Sequence, residues 1–253
     1  MGLFDLPAPL FSIIDGVLAA FLPSVVRLLL WGILAGWISM LVYRLLSSQE
    51  KIAALKTRQQ QQQKQIAGFD GEFAELLPLI RQTLALGFRQ LGLALGPALL
   101  ASLPALCIII WVAGAFGYRT PLAGEQISVR AEPSGGEMHW SPAALATATD
   151  TGWVVKWPAR DQTLTLGDEQ QSLLVLPLQQ AIPVIHTKRW WNLLMANPLG
   201  YLPTGGPADV IHIDLPEQAI IGWGPGWIRG WMFSFFLAFL LSSLAFKRLL
   251  RLH

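Results

Sequence analysis

Residues 23–43 read PSVVRLLLWGILAGWISMLVY, an apolar run whose only charge is Arg27. Pro23 suits the first turn of a helix, where its missing N–H has no partner to lose. Pro23 to Val42 then supplies the roughly 20 residues a helix needs to cross a bilayer core. The whole chain shares this bias: 53% of its 253 residues are hydrophobic, 13% are charged, and the mean hydropathy is +0.46. So few charges cannot cover a soluble domain, and lipid is expected to solvate part of the molecule.

Upstream, residues 1–22 form an N-terminal segment with no basic n-region and no small-residue cleavage site, so the first span is expected to act as its own uncleaved signal. Residues 8–22 suit a short helix in or near the outer interface; a single longer, tilted helix starting near Ile13 competes with it. An arginine inside an apolar helix is expensive unless it snorkels, pairs or faces a wet cavity. Arg27 lies about one turn inside the outer end, so snorkelling and a groove-facing role both stay open, and Asp15 can pair with it if residues 8–22 fold back.

Downstream, residues 44–90 turn glutamine-rich and mixed in charge, with Leu45, Ile52, Leu55, Ile66, Phe73, Leu77 and Ile80 at roughly helical intervals. An antiparallel helical hairpin is predicted, turning at Gly68-Phe69-Asp70-Gly71 with Asp70 capping the second arm. The run Gln59 to Gln63 reads as a solvated helix face. A second span is predicted over residues 91–118, kinked by Pro97 and Pro104, and a third over residues 223–246, followed by a basic tail, 247–253.

Lys and Arg next to spans are retained on the cytoplasmic side. Arg44, Lys51, Lys56, Arg58, Arg81, Arg89, Lys247, Arg248 and Arg251 gather at one set of ends, while Asp5, Asp15, Arg119 and Arg229 mark the other. The N-terminus is therefore expected outside and the C-terminus in the cytoplasm, with Tyr118, Trp223 and Trp227 at the outer interface. Residues 119–222 become an outer domain in which acidic residues outnumber basic ones. Its short runs rich in β-branched or aromatic residues predict strands near 126–130, 153–157, 163–166, 172–176, 182–186 and 210–215, with a short helix at 190–196. The expected fold class is thus an α-helical membrane protein: three transmembrane helices, a cytoplasmic helical hairpin and an inserted, small, mainly-β extracytoplasmic domain.

The chain carries no Gly-x-Ser-x-Gly, His-Glu-x-x-His or phosphate loop, and its single cysteine, Cys107, lies in an apolar run as a small buried hydrophobe. No enzymatic activity and no cofactor are expected. His139, His186 and His212 are scattered, which argues against a zinc site. A net charge of +2 is too small to imply nucleic-acid binding.

Small residues recur along the spans: Gly32, Gly36, Ser39 and Tyr43 in the first, Ala94, Ala98, Ala101 and Ala105 in the second, and Gly226, Gly230, Ser234, Ala238 and Ser242 in the third. Such stripes let helices approach closely, so Gly32, Gly36, Gly226, Gly230 and Ala238 are expected to pack helices. The hydroxyls among them could also line a groove that water enters.

Three stretches together resemble the YidC-type membrane protein insertase superfamily, in its compact three-helix branch that includes archaeal YidC-like proteins and the insertase subunit of the endoplasmic reticulum membrane protein complex. Tyr43-Arg44-Leu45-Leu46-Ser47-Ser48-Gln49-Glu50-Lys51 resembles the exit of the first helix into a cytoplasmic coiled coil. Leu103-Pro104-Ala105 through Gly117-Tyr118-Arg119-Thr120-Pro121-Leu122 resembles the second helix and its exit. Gly224-Pro225-Gly226-Trp227-Ile228-Arg229-Gly230-Trp231 with Lys247-Arg248-Leu249-Leu250 resembles the entry and basic exit of the third.

The resemblance covers roughly residues 20–122 and 222–251, and its specificity lies in order and topology. It implies an insertase or membrane chaperone with a polar groove, lined here by Arg27, Ser39, Tyr43, Ser234 and Ser242. The partners it implies are lipids and nascent or substrate membrane proteins, with the ribosome or other membrane subunits at the hairpin, in a prokaryotic plasma membrane. Two features depart from the family: no Met lies between Met40 and Met138 to grip apolar substrates, and an entire domain, free to bind a partner, replaces a short link. The competing expectation is a membrane-anchored scaffold whose outer domain binds a partner.

Overall fold

A computed structural model describes residues 2–68, 73–133, 138–168 and 171–250. The chain divides into two units, 1–28 with 107–234 and 29–106 with 235–253. Among the described residues, three helices are long and apolar enough to cross a membrane: α2 (Ser24–Leu46), the Leu77–Phe116 part of α4 (Phe73–Phe116), and α6 (Trp231–Leu249). Before them comes α1 (Ala8–Ala19), separate from α2, so no single helix runs from Ile13 into the first span. Between α2 and α4 lies α3 (Gln49–Ala67). The proposed hairpin turn at residues 69–71, with its Asp70 cap, lies outside the described residues, as does Arg251.

The second arm of the hairpin and the second apolar stretch are one uninterrupted helix of 44 residues, with Pro78, Pro97 and Pro104 inside it. Nothing at residue 90 ends the helix, because the change there is in polarity and not in backbone preference. The third differs in the opposite sense. Pro225 and Gly230 both take extended backbone, so a single turn, α5 (Gly226–Arg229), stands apart from α6.

In the second unit, the face of α2 that carries Gly32 and Gly36 meets α6. A Cβ on Gly32 would lie 2.7 Å from the Phe235 carbonyl oxygen, and one on Gly36 would lie 2.9 Å from that of Phe239. Only glycine admits such an approach. Trp37 and Phe246 continue the contact, ring centroids 6.5 Å apart. Gln62 joins the hairpin arms, its Nε2 donating to Gln82 (3.1 Å) and its Oε1 accepting from Thr83 (3.3 Å). Part of the glutamine run therefore holds the arms together in addition to facing solvent.

In the first unit, β1 (Gln126–Glu132), β2 (His139–Ser141), β3 (Ala146–Thr149), β4 (Gly152–Lys156), β5 (Leu164–Gly167), β6 (Ser172–Leu176), β7 (Val184–His186) and β8 (Val210–Ile213) form two antiparallel sheets, ordered β3-β4-β1-β8-β7 and β2-β5-β6. Alternate residues of β1, namely Ile127, Val129 and Ala131, point inward, as a half-buried strand requires. They share one core with Leu164, Leu166 and Leu176 from the smaller sheet, the arrangement of a small sandwich. Sequence periodicity missed β2 and β3: one has three residues between Pro133 and Pro142, and the other is an Ala-Thr edge strand with no buried residue.

Candidate functional site

Arg27 sits in the first turn of α2, where α1 folds back against it. Its Nη1 donates to the Asp15 carboxylate at 2.5 Å, and the two side chains keep only 15% and 13% of their exposure. The guanidinium carbon lies 5.3 Å from the centre of the Phe116 ring, at cation–π distance. Nε is buried without a hydrogen-bond partner. Arg27 is thus a paired cation, its charge met by Asp15, and the conditional pairing drawn from the sequence is formed.

Two further contacts fix α1. Trp111 Nε1 of α4 donates to Ser12 Oγ at 2.9 Å, and Phe11 packs edge-on against the Trp111 ring at 5.8 Å. Ahead of α1, the Asp5 carboxylate accepts from the backbone of Gly2 (3.1 Å) and of Ala196 (2.7 Å), while Phe4 N donates to the Leu194 carbonyl (2.9 Å). The N-terminal segment is therefore clipped to a loop nearly two hundred residues away. No spacing in the sequence signals this, since one aspartate beside the N-terminus carries no pattern.

Of the other residues proposed for a groove, Ser39 and Ser242 belong to the second unit and are buried, with Tyr43 half-buried; Ser234 is a buried residue of the first. Ser242 donates to the Phe239 carbonyl at 3.0 Å, which satisfies it within its own helix. Ser39 Oγ and the neighbouring Ser243 Oγ are buried with no partner. The α2–α6 contact therefore contains unsatisfied hydroxyls beside Gly36, whose added Cβ would meet Ser243 Oγ at 2.9 Å.

The small-residue stripe of the third span is interrupted near its start. Around Gly226 and Gly230 an added Cβ meets nothing within 4 Å, whereas Ala238 lies beside Gly32. The period of four that joined them in the sequence is broken by the extended backbone at Gly230, and a true helical face begins only at Trp231.

The hairpin carries a concavity that sequence reading did not isolate. Its walls include Arg58, Gln62, Gln82 and Arg89, and its volume is about 530 Å³. The arginines had been read for topology alone, although both fall on the arms that the glutamines join. Among the described residues no three His, Cys, Asp or Glu side chains gather as metal ligands. His139 is on β2, His186 on β7 against the rings of Trp191 and Tyr201, and His212 on β8, 3.8 Å from Glu132.

No family model, no curated protein and no solved structure matches the chain.

Proposed function

We propose that the chain is an integral membrane protein of YidC type, an insertase or chaperone that eases entry of transmembrane segments, with its N-terminus outside and its C-terminus in the cytoplasm of a prokaryotic plasma membrane. The observation that carries this reading is the order of elements: an apolar helix, a two-armed polar helix pair with basic residues, then two more apolar helices. Each polar group that crosses bare hydrocarbon unsatisfied costs several kcal/mol. A slot in which water reaches Ser39 and Ser243 would lower that cost. Arg27 would act only as half of an ion pair, since Asp15 meets its charge. The hairpin groove between Arg58 and Arg89 is the first contact for substrate or ribosome. The chemistry needs no cofactor and changes no covalent bond.

Purified protein in liposomes is expected to raise insertion of short-tailed membrane substrates well above empty liposomes, and equal yields would end the proposal. The paired state of Arg27 favours a second reading, a membrane-anchored scaffold whose outer domain binds a partner, because Asp15 already meets the charge that an acidic substrate would seek there. Site-specific cross-linking separates the two. Adducts at Ser39, Ser234 and Arg27 support the insertase, and adducts confined to residues 120–220 support the scaffold.

A further inference from the structure

The loop after β7 is built inside out for a turn in water. Its polar residue, Asn192, is buried: Oδ1 accepts from Arg189 N at 2.7 Å and Nδ2 donates to the Met195 carbonyl at 3.1 Å, stapling the 3-10 turn Trp190–Leu193. The large apolar side chains point the other way, Trp190 79% and Leu193 73% exposed, with Leu194 also exposed. Lys188 and Arg189, both exposed, stand directly before them. A rigid turn that hides its amide and displays its aromatic and aliphatic residues matches an interface, not bulk water.

What covers this surface follows from what the loop is tied to. Leu194 and Ala196 hold the Leu3–Asp5 segment by the hydrogen bonds to Phe4 and Asp5, and that segment leads into α1. On the side away from Ser12 and Asp15, Leu6, Leu10, Ile13, Val17 and Phe21 are all exposed. α1 in turn packs on Trp111, about 7.5 Å along the axis from the end of the apolar helix at Phe116. The exposed loop is thus continuous with an exposed apolar helix face that lies against an apolar span, inside its end.

We propose that the Lys188–Met195 loop of the sandwich domain is immersed in the outer leaflet together with α1, with Trp190, Leu193 and Leu194 at the level of the acyl-chain boundary and Lys188 and Arg189 on anionic headgroups. Basic residues at such a surface are attracted by its negative potential, and tryptophan prefers that level. The inference rests on the reading of the apolar helices as membrane spans and not on the insertase reading.

The test uses the full chain with Cys107→Ser, reconstituted in vesicles of phosphatidylcholine and phosphatidylglycerol, carrying one fluorophore on Leu193→Cys, Val175→Cys or Leu240→Cys, read with lipids bearing quenchers at graded depths. Val175 is an exposed position on β6, and Leu240 is an exposed position on α6. Leu193 is expected to be quenched several-fold more than Val175 and most strongly by shallow quenchers, with Leu240 quenched most by deep ones. Leu193 quenched no more than Val175 while Leu240 is quenched would overturn the loop's immersion alone, whereas loss of quenching at Leu240 as well would overturn the membrane reading beneath it. Reversing the charge at Lys188 and Arg189, or omitting the anionic lipid, is expected to lower quenching at Leu193 and leave Leu240 unchanged; no change at either position would overturn the headgroup contact.

Discussion

The sandwich domain and the apolar helices differ in where their leucines lie. In the sandwich, Leu164, Leu166, Leu176 and Ile211 are fully buried, as expected where water drives large apolar groups inward. Along α6 and α4, Leu240, Leu241 and Leu99 stay more than half exposed, while α2 and α6 bury the small residues Gly32, Gly36, Ser39, Ala238 and Ser242 alongside large ones such as Trp31 and Phe235. Helices in lipid gain nothing by hiding leucine and hold together by close approach at small residues. Two packing rules thus meet in one chain, one suited to water and the other compatible with lipid around the helices. The turn at Trp190 lies in the sandwich domain yet obeys the helices' rule.

The largest expected effect tests this contrast directly. Ile211→Ala empties a fully buried site and is expected to cost the sandwich about 2–5 kcal/mol, read from denaturant unfolding followed by near-ultraviolet dichroism. Leu240→Ala removes as much hydrocarbon from α6 and is expected to change stability in detergent by no more than about 0.5 kcal/mol. Equal losses would mean that α6 buries Leu240 in a protein interior and that a single rule governs both regions.

The complementary change adds atoms instead of removing them. Gly36→Ala places a methyl against the Phe239 carbonyl and the Ser243 hydroxyl, where the α2 and α6 backbones must separate. The expected cost is about 1–3 kcal/mol, measured by unfolding in mixed detergent micelles. Gly230→Ala, with open space around its Cβ and φ of −73°, is expected to be neutral. A neutral Gly36→Ala would show that close approach is not what joins these helices.

The ion pair at Arg27 belongs to neither rule and should give an intermediate effect. Asp15→Asn leaves a guanidinium that is largely removed from solvent with a neutral partner. Its expected cost of about 1–2 kcal/mol lies between the limits for exposed and fully buried pairs. Much of that is expected to return in the double variant with Arg27→Gln, because the loss comes from the stranded charge. Full additivity of the two changes would show that the pair contributes nothing as a pair.

The two rules also explain how far the sequence could be read. Apolar runs long enough for α2 and α6 stand out because, apart from Arg27, charges fall only near their ends, and strands such as Gln126–Glu132 stand out because apolar and polar residues alternate. Gly32 and Gly36 were legible as packing positions since helical spacing is a local property. Gly226 and Gly230 share that spacing, but one extended residue takes them off the helix, and no periodicity contains that information. The bound drawn at residue 90 follows a change of composition, and the helix runs on through it. Of the candidate site, the Arg27–Asp15 pair was foreseeable because both are charges stranded in apolar sequence. Asp5 with Ala196 was not, since a carboxylate on a distant backbone amide leaves no trace in either segment.

The smallest effect should come from a charge pair in the water-facing region, where solvent competes for both partners. Arg119 donates to both oxygens of Glu125, at 2.9 and 2.7 Å, and Leu122 N donates to the same carboxylate at 2.8 Å. Those hydrogen bonds, Arg119's first, lower the Glu125 carboxyl from 4.5 to about 2 and raise the Arg119 guanidinium. Because the carboxyl is depressed on folding, its contribution is present above the unfolded value and is lost as pH falls from 4.5 toward about 2. Glu125→Gln should therefore unfold slightly earlier than the parent at neutral pH, and the gap should close across that acidic window. Salt should narrow it too, since both side chains are partly exposed. A gap that persists unchanged to pH 2 would assign the stabilisation to the shape of the Arg119–Glu125 turn and not to its charge.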